Sequence, residues 1–162
     1  MIESNVWHRK SFFGRRKGKT LHQRQKMLYD TLLPALRINL GQNMQNELQS
    51  LFALPVKAVR LEIGFGNGES LLHEATRFRD VGFIGVEPFV NGMAKMLACL
   101  SNTPDLSKKI RLYDNDAIYL LDWLPYQSID GIDLFYPDPW IKKNIGNAVL
   151  LMRRILIGLP VS

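Results

Sequence analysis

Four acids and three alternating glycines hold most of this chain's chemical possibilities. Glu62 stands two residues ahead of Gly64, and Gly64, Gly66 and Gly68 follow in the pattern G-x-G-x-G. Glycines so spaced permit a tight turn and let a backbone approach a ligand closely. A dinucleotide loop reads G-x-G-x-x-G and seats a pyrophosphate on the amides of a helix start. Here Glu69 occupies the third-glycine position, so two carboxylates flank the place a phosphate would take. That environment repels an anion and suits a cationic ligand without phosphate. S-adenosylmethionine (SAM) is such a ligand, with a sulfonium, an ammonium and an adenosine. Taken alone, the stretch also reads as a glycine turn with no ligand.

The remaining acids each follow a β-rich apolar run. Glu87 lies 25 residues after Glu62, closing the run from Gly82. An acid at the end of a second strand can accept both ribose hydroxyls, with a helix cap as the competing role. Asp116 follows Ile110–Tyr113 and opens a helical pattern. It can cap that helix, hydrogen-bond an adenine amino group, or do both through different oxygens. Asp138 sits between Pro137 and Pro139, with Trp140, Lys142 and Lys143 behind it. A rigid acid beside an aromatic and two lysines points to a catalytic or substrate loop rather than a routine turn. His8, His22, His73 and Cys99 are scattered, so no metal site is expected.

The elements that must position these residues alternate strand and helix. Strands are predicted at Ala58–Ile63, Gly82–Glu87, Ile110–Tyr113 and Ile132–Tyr136. Between them Leu71, Leu72, Ala75 and Phe78, then Val90, Met93, Met96, Leu97 and Leu100, then Ala117, Leu120, Leu121 and Leu124 recur at helical spacing. The alternation predicts an α/β fold, an open, mostly parallel sheet with helices on both faces. Upstream, Leu28, Leu32, Leu36 and Leu40 predict a helix over roughly Gln25 to Leu40, which Pro34 kinks or divides. Met44, Leu48, Leu51 and Phe52 predict a shorter second helix, ended by Pro55.

Composition bounds the class. The chain has 162 residues, 46% hydrophobic and 22% charged, which is the profile of one globular domain. A single cysteine excludes an internal disulfide framework and fits a reducing, cytoplasmic setting. The first residues lack the apolar core of a signal peptide, and no apolar run approaches the roughly 20 residues that span a bilayer. The net charge of +6 is local. Residues 1–26 hold Arg9, Lys10, Arg15, Arg16, Lys17, Lys19, Arg24 and Lys26 against Glu3 alone. With Phe12 and Phe13 among them, such an arm can track a phosphate backbone and stack on bases, or serve as a solvated tail.

In order, Leu61-Glu62-Ile63-Gly64-Phe65-Gly66-Asn67-Gly68, Phe83-Ile84-Gly85-Val86-Glu87-Pro88, Asn115-Asp116-Ala117 and Phe135-Tyr136-Pro137-Asp138-Pro139-Trp140-Ile141-Lys142-Lys143 resemble bacterial tRNA (guanine-N7)-methyltransferases. The P-D-P-W-x-K-K loop is specific to that family, whereas the glycine motif alone indicates any class I methyltransferase. The resemblance runs from about residue 9 to residue 143. It implies a Rossmann-like class I fold and SAM-dependent methylation of N7 of guanosine 46 in the tRNA variable loop. Glu62, Glu87, Asp116 and Asp138 match the family's SAM-contacting acids, Asp138 its proposed catalytic acid, and Lys142 a substrate-contacting lysine. A nicotinamide-dependent oxidoreductase is the contrasting reading, disfavoured by Glu69 and the proline loop. The organisation expected is a basic arm over 1–26, a SAM-binding domain over 27–143 and an atypical tail over 144–162.

Past Lys143 the family's basic and aromatic run and its T-x-x-E motif have no counterpart. Back-translated with permitted codons and read from the third base of the Asn144 codon, the tail yields His-Trp-Lys-Arg-Arg-Phe-Ile-Asn-Glu-Glu, which resembles the family's continuation. The expectation is therefore an out-of-frame tail, a sheet with its second half incomplete, and either a shortened enzyme or a non-catalytic remnant that binds SAM or tRNA. The apolar tail is expected to cover the exposed edge of the fourth strand as a helix interrupted at Arg153 and Arg154.

Overall fold

A computed structural model describes residues 16–42, 47–135 and 139–158, with only the backbone of 139–145. Asp138 and Met44, and the side chains of Trp140 and Lys142, lie outside the described residues. Four parallel strands form the centre: β1 (Ala58–Ile63), β2 (Val81–Val86), β3 (Ile110–Tyr113) and β4 (Gly131–Leu134). Their order is β3-β2-β1-β4. The helices are α1 (Gln23–Leu36), α2 (Glu69–Arg77), α3 (Val90–Ser101), α4 (Pro104–Ser107), α5 (Ala117–Trp123) and α6 (Pro139–Ile155).

A parallel sheet needs cover on both faces, so its inner strands carry nearly continuous apolar runs. Five of the six β2 residues are buried, and β1 buries Val59, Leu61, Glu62 and Ile63. Val59, Leu61, Ile63, Ile84 and Val86 pack on one face with Leu120 and Leu121 of α5, Leu124 just after it, and Ile155 of α6. Phe83, Ile110 and Leu112 face the other way, against Leu28, Leu33 and Leu36 of α1, Leu71 and Ala75 of α2, and Met93, Met96 and Leu97 of α3. Each such aliphatic side chain, fully buried, contributes about 1.5–3 kcal/mol.

Strand β2 lies one residue earlier than predicted, β4 begins one residue earlier, and three other predicted elements differ more. Helix α1 stops at Leu36 instead of continuing to Leu40. Pro34 lies in its last turn, and Arg37 leaves the helix to bridge Leu112, with the Ile38 N–H donating to the Leu112 carbonyl at 2.9 Å. The outer edge of β3 is thereby partly covered, and Leu40 packs on the opposite face from α1. The predicted second helix is a single 3-10 turn, Leu48–Leu51, among the described residues. The tail helix is continuous through Arg153 and Arg154. Arg154 does not break it because its Nη2 donates to the carbonyls of Leu121, Asp122 and Leu124 (2.8, 2.8 and 3.1 Å), the open end of α5.

Among the described residues the sheet ends at β4. The tail pairs with the chain just ahead of β4, where the Ile129 N–H donates to the Ile155 carbonyl and the Ile129 carbonyl accepts from the Ile157 N–H, both at 2.9 Å. Leu134 and Phe135, at the strand's far end, are each 40% exposed.

Gly92, in the first turn of α3, lets that helix approach the glycine loop. A methyl group there would run into the Gly66 carbonyl oxygen, a backbone atom with little freedom to retreat. Gly92→Ala should destabilise the fold by about 1–3 kcal/mol in urea denaturation. A change within about 0.5 kcal/mol, the usual size for an unconstrained surface site, would show that α3 and the loop do not need this approach.

Candidate cofactor site

In open α/β sheets, ligands bind outside the carboxyl ends of the strands, where the strand order reverses. Here the chain runs outward from β1 to β2 and β3, then returns to the other side of β1 with β4. The reversal therefore lies between β1 and β4, at the end of β1 where Glu62 sits.

Glu62 is 3% exposed, and its register partners are Gly85 of β2 and Asp133 of β4. Its Oε1 is buried and has no hydrogen-bond partner among the described residues. Burial first, and then the charges of Asp133 and Glu74, push its carboxyl up to about 7, while Arg60 pulls it down. Arg60 is itself paired to Asp133, Nη2 to Oδ2, at 2.9 Å. That ion pair occupies Asp133 beside Glu62 and leaves the Arg60 Nε unpartnered in its buried position.

The turn after β1 has the backbone the glycines were expected to allow. Gly64, Gly66 and Gly68 have φ of 77°, 60° and 87°, in the left-handed region that side chains disfavour. No atom lies within 4 Å of where a Gly66 side chain would begin, so that point of the loop faces open space. Gly68 ends the turn as the N-cap of α2, and Glu69 stands in the helix's first turn, where an acid favours the dipole. An exposed acid thus stands at the helix start where a dinucleotide loop would seat a phosphate.

Glu87 directly follows β2. Its N–H donates to the Tyr113 carbonyl at 3.0 Å, and its Oε1 accepts the Gly66 N–H at 3.0 Å. It therefore ties the ends of β2 and β3 to the glycine loop. Asp116 is 5% exposed and is the N-cap of α5, its Oδ1 accepting from the Ile118 N–H at 3.0 Å. Burial raises its carboxyl pKa, against the lowering effects of that hydrogen bond and of Arg16. Glu62, Glu87 and Asp116 stand along one sheet edge, since Val86 pairs with both Ile63 and Tyr113.

Sequence reading missed the partners. The Asn91 side chain holds the end of the basic arm, accepting from the Gly18 N–H and donating to the Lys19 carbonyl, both at 2.7 Å. The Val90 N–H donates to the Arg16 carbonyl at 2.8 Å, and Arg16 Nη2 donates to Asn115 Oδ1 at 3.3 Å. The arm thus spans from the start of α3 to the loop before Asp116. Arg60 and Asp133 carried the one available signal, opposite charges inside otherwise apolar central runs. Among the described residues there is no cluster of metal-binding side chains and no helix long and apolar enough to cross a membrane.

A family model described as putative methyltransferase matches residues 56–151. The chain is 57% identical over 143 residues to the tRNA (guanine-N(7)-)-methyltransferase of Bartonella henselae, covering 88% of this chain and 61% of that relative. It is 58% identical over 133 residues to the protein of the same description from Brucella anthropi, covering 82% and 56%. The chain thus spans about three fifths of the length of the curated relatives it matches. Among solved structures, Haemonchus contortus phosphoethanolamine N-methyltransferase 2 matches with a TM-score of 0.53 at 20% identity, over 64% of this chain and 23% of that one. The antibiotic-resistance methyltransferase Kmr matches with a TM-score of 0.50 at 17% identity, over 65% and 56%. These likenesses show the fold, the parallel α/β sheet of class I methyltransferases.

A carboxyl raised from 4.5 to about 7 on folding contributes stability that is fully present below about pH 4.5 and is lost as pH rises through about 7. Glu62→Gln should remove that dependence and stabilise the ligand-free protein at pH 8 by on the order of 2 kcal/mol. Urea denaturation at pH 5 and pH 8 checks this. An unchanged pH slope in the variant would show that Glu62 is not the strained carboxyl.

Proposed function

This chain belongs to the putative methyltransferase family, and we propose that it carries the SAM site of a tRNA (guanine-N7)-methyltransferase acting on guanosine 46 of the variable loop. The observation that carries the reading is Glu62, a buried carboxylate with an unpartnered oxygen at the glycine turn. Such an acceptor fits an ammonium group, and nothing about it fits a phosphate. The names of the relatives supply the substrate class.

In this reading Glu62 holds the ammonium of SAM, with Gly64, Gly66 and Gly68 giving the backbone room to approach it. Glu87 holds the ribose hydroxyls and Asp116 the adenine amino group. When bound, SAM supplies an electrophilic methyl group on a sulfonium. The chain's residues then have little proton chemistry to perform, because N7 of guanine carries an in-plane lone pair and no proton. No general base is required. Transfer would leave the sulfur as a neutral thioether, and its positive charge would pass to the purine. Asp138 orients the base and stabilises that charge, Trp140 stacks on the guanine, and Lys142 holds a phosphate.

The proposed organisation is a basic RNA-facing arm over 1–26, a SAM-binding domain over 27–143 and a tail over 144–162. Helix α1 begins within the arm, at Gln23. A cytoplasmic location follows from the tRNA substrate.

The test is transfer of labelled methyl from SAM to unmodified tRNA by the purified chain, with nucleoside analysis of the product. The expected result is N7-methylguanosine, reduced at least about 100-fold in Asp138→Ala, the scale seen when one transition-state charge partner is removed. Methylation at another atom, or incorporation indifferent to Asp138, would contradict the reading.

A further inference from the structure

The loop that follows β3 carries three consecutive polar residues, Asp114, Asn115 and Asp116, and each is held by a different partner. Arg37 grips Asp114 with both arms of its guanidinium, Nε to Oδ1 at 3.0 Å and Nη2 to Oδ2 at 2.9 Å. Arg16 donates to Asn115 Oδ1, which also accepts the Asp116 N–H at 2.8 Å. Asp116 is fixed by the Ile118 N–H. Two of these three holds come from residues 16–37, a segment outside the stretch that the family model matches.

The grip of Arg37 is the strongest of the three. A two-point guanidinium–carboxylate contact fixes the plane of the carboxylate as well as its distance, which a single ammonium contact does not. Arg37 is anchored in turn. Its N–H donates to the Leu33 carbonyl at 2.7 Å, and its backbone bridges Leu112 two residues before Asp114. Asp114 is only 20% exposed, so the pair is shielded on the carboxylate side. Tyr29 of α1 lies beside it, its phenol pKa raised by burial first and by the Asp114 charge next. The end of α1 and the loop are therefore tied directly to each other.

We propose that Arg37 is a positioning residue for the cofactor's adenine: by clamping Asp114 it sets the loop so that Asp116, two residues on, meets the adenine amino group. This rests on the reading of the acid-bearing sheet edge as a SAM site. Arg37 touches no reacting atom, and its effect passes entirely through the loop.

The role is separable from plain structural support by asking which part of the ligand notices. The full chain is titrated calorimetrically with S-adenosylhomocysteine and with S-inosylhomocysteine, which has an oxo group where adenine has its amino group. The wild-type chain should prefer the adenine compound. In Arg37→Ala the adenine compound should weaken about tenfold while the hypoxanthine compound changes by less than about twofold. Arg37→Lys keeps the charge without the fork and should lose the preference as alanine does. Asp114→Asn breaks the same clamp from the other side and should match, with thermal melts confirming that each variant is folded. Equal weakening of both compounds, or an undiminished preference in folded variants, overturns the proposal. A wild-type chain that binds neither compound overturns the SAM reading itself, and the proposal with it.

Discussion

A carboxylate buried beside another carboxylate, with an oxygen left unpartnered, costs a fold stability that a bound cation would restore. Glu62 is in that position. Arg60 relieves it only in part, because its ion pair is made with Asp133. Hydrophobic packing on both faces of the sheet supplies the surplus that lets this strain persist. The arrangement also bears on the ligand proposed. A cation lowers the cost of the buried charge, and an anion raises it.

Everything else near the site serves to hold that carboxylate at a sheet edge with backbone around it. Parallel pairing of β1 with β2 and β4 brings Glu62 between Gly85 and Asp133. Gly92 permits α3 to press on the glycine loop, and Glu87 ties that loop to the ends of β2 and β3. The segment upstream of β1 is part of the same construction. It lines the outer edge of β3 through Ile38, grips the loop after β3 through Arg37, and reaches α3 through the Arg16–Lys19 stretch.

Much of this could be read from residue order alone, for physical reasons. The sequence located β1 and β3 to the residue, because strands buried on both faces are short apolar runs with sharp polar ends. The glycine turn was legible because only glycine accepts three positive φ values in five residues. Where reading failed, a distant partner decided the outcome. Leu36 ends α1 because the next residues exchange helix for pairing with Leu112, about which a leucine repeat says nothing. Arg153 and Arg154 looked like an interruption, yet Arg154 fits inside α6 because the open carbonyls of α5 accept it. Arg60 and Asp133 are 73 residues apart, and Arg37 and Asp114 are 77, so no local pattern tells either residue which partner it meets. The candidate acids could be named from their places after strands. Their holding partners could not.

The central claim is that the acid-lined glycine loop selects a cationic, phosphate-free nucleoside. Calorimetric titration of the purified chain at pH 8 with SAM and, separately, with NAD tests it most directly. The account predicts saturable one-site binding of SAM and no measurable heat of binding for NAD. Binding of NAD in place of SAM would contradict it, because a pyrophosphate would then be held by a glycine loop that Glu62 and Glu69 flank in sequence.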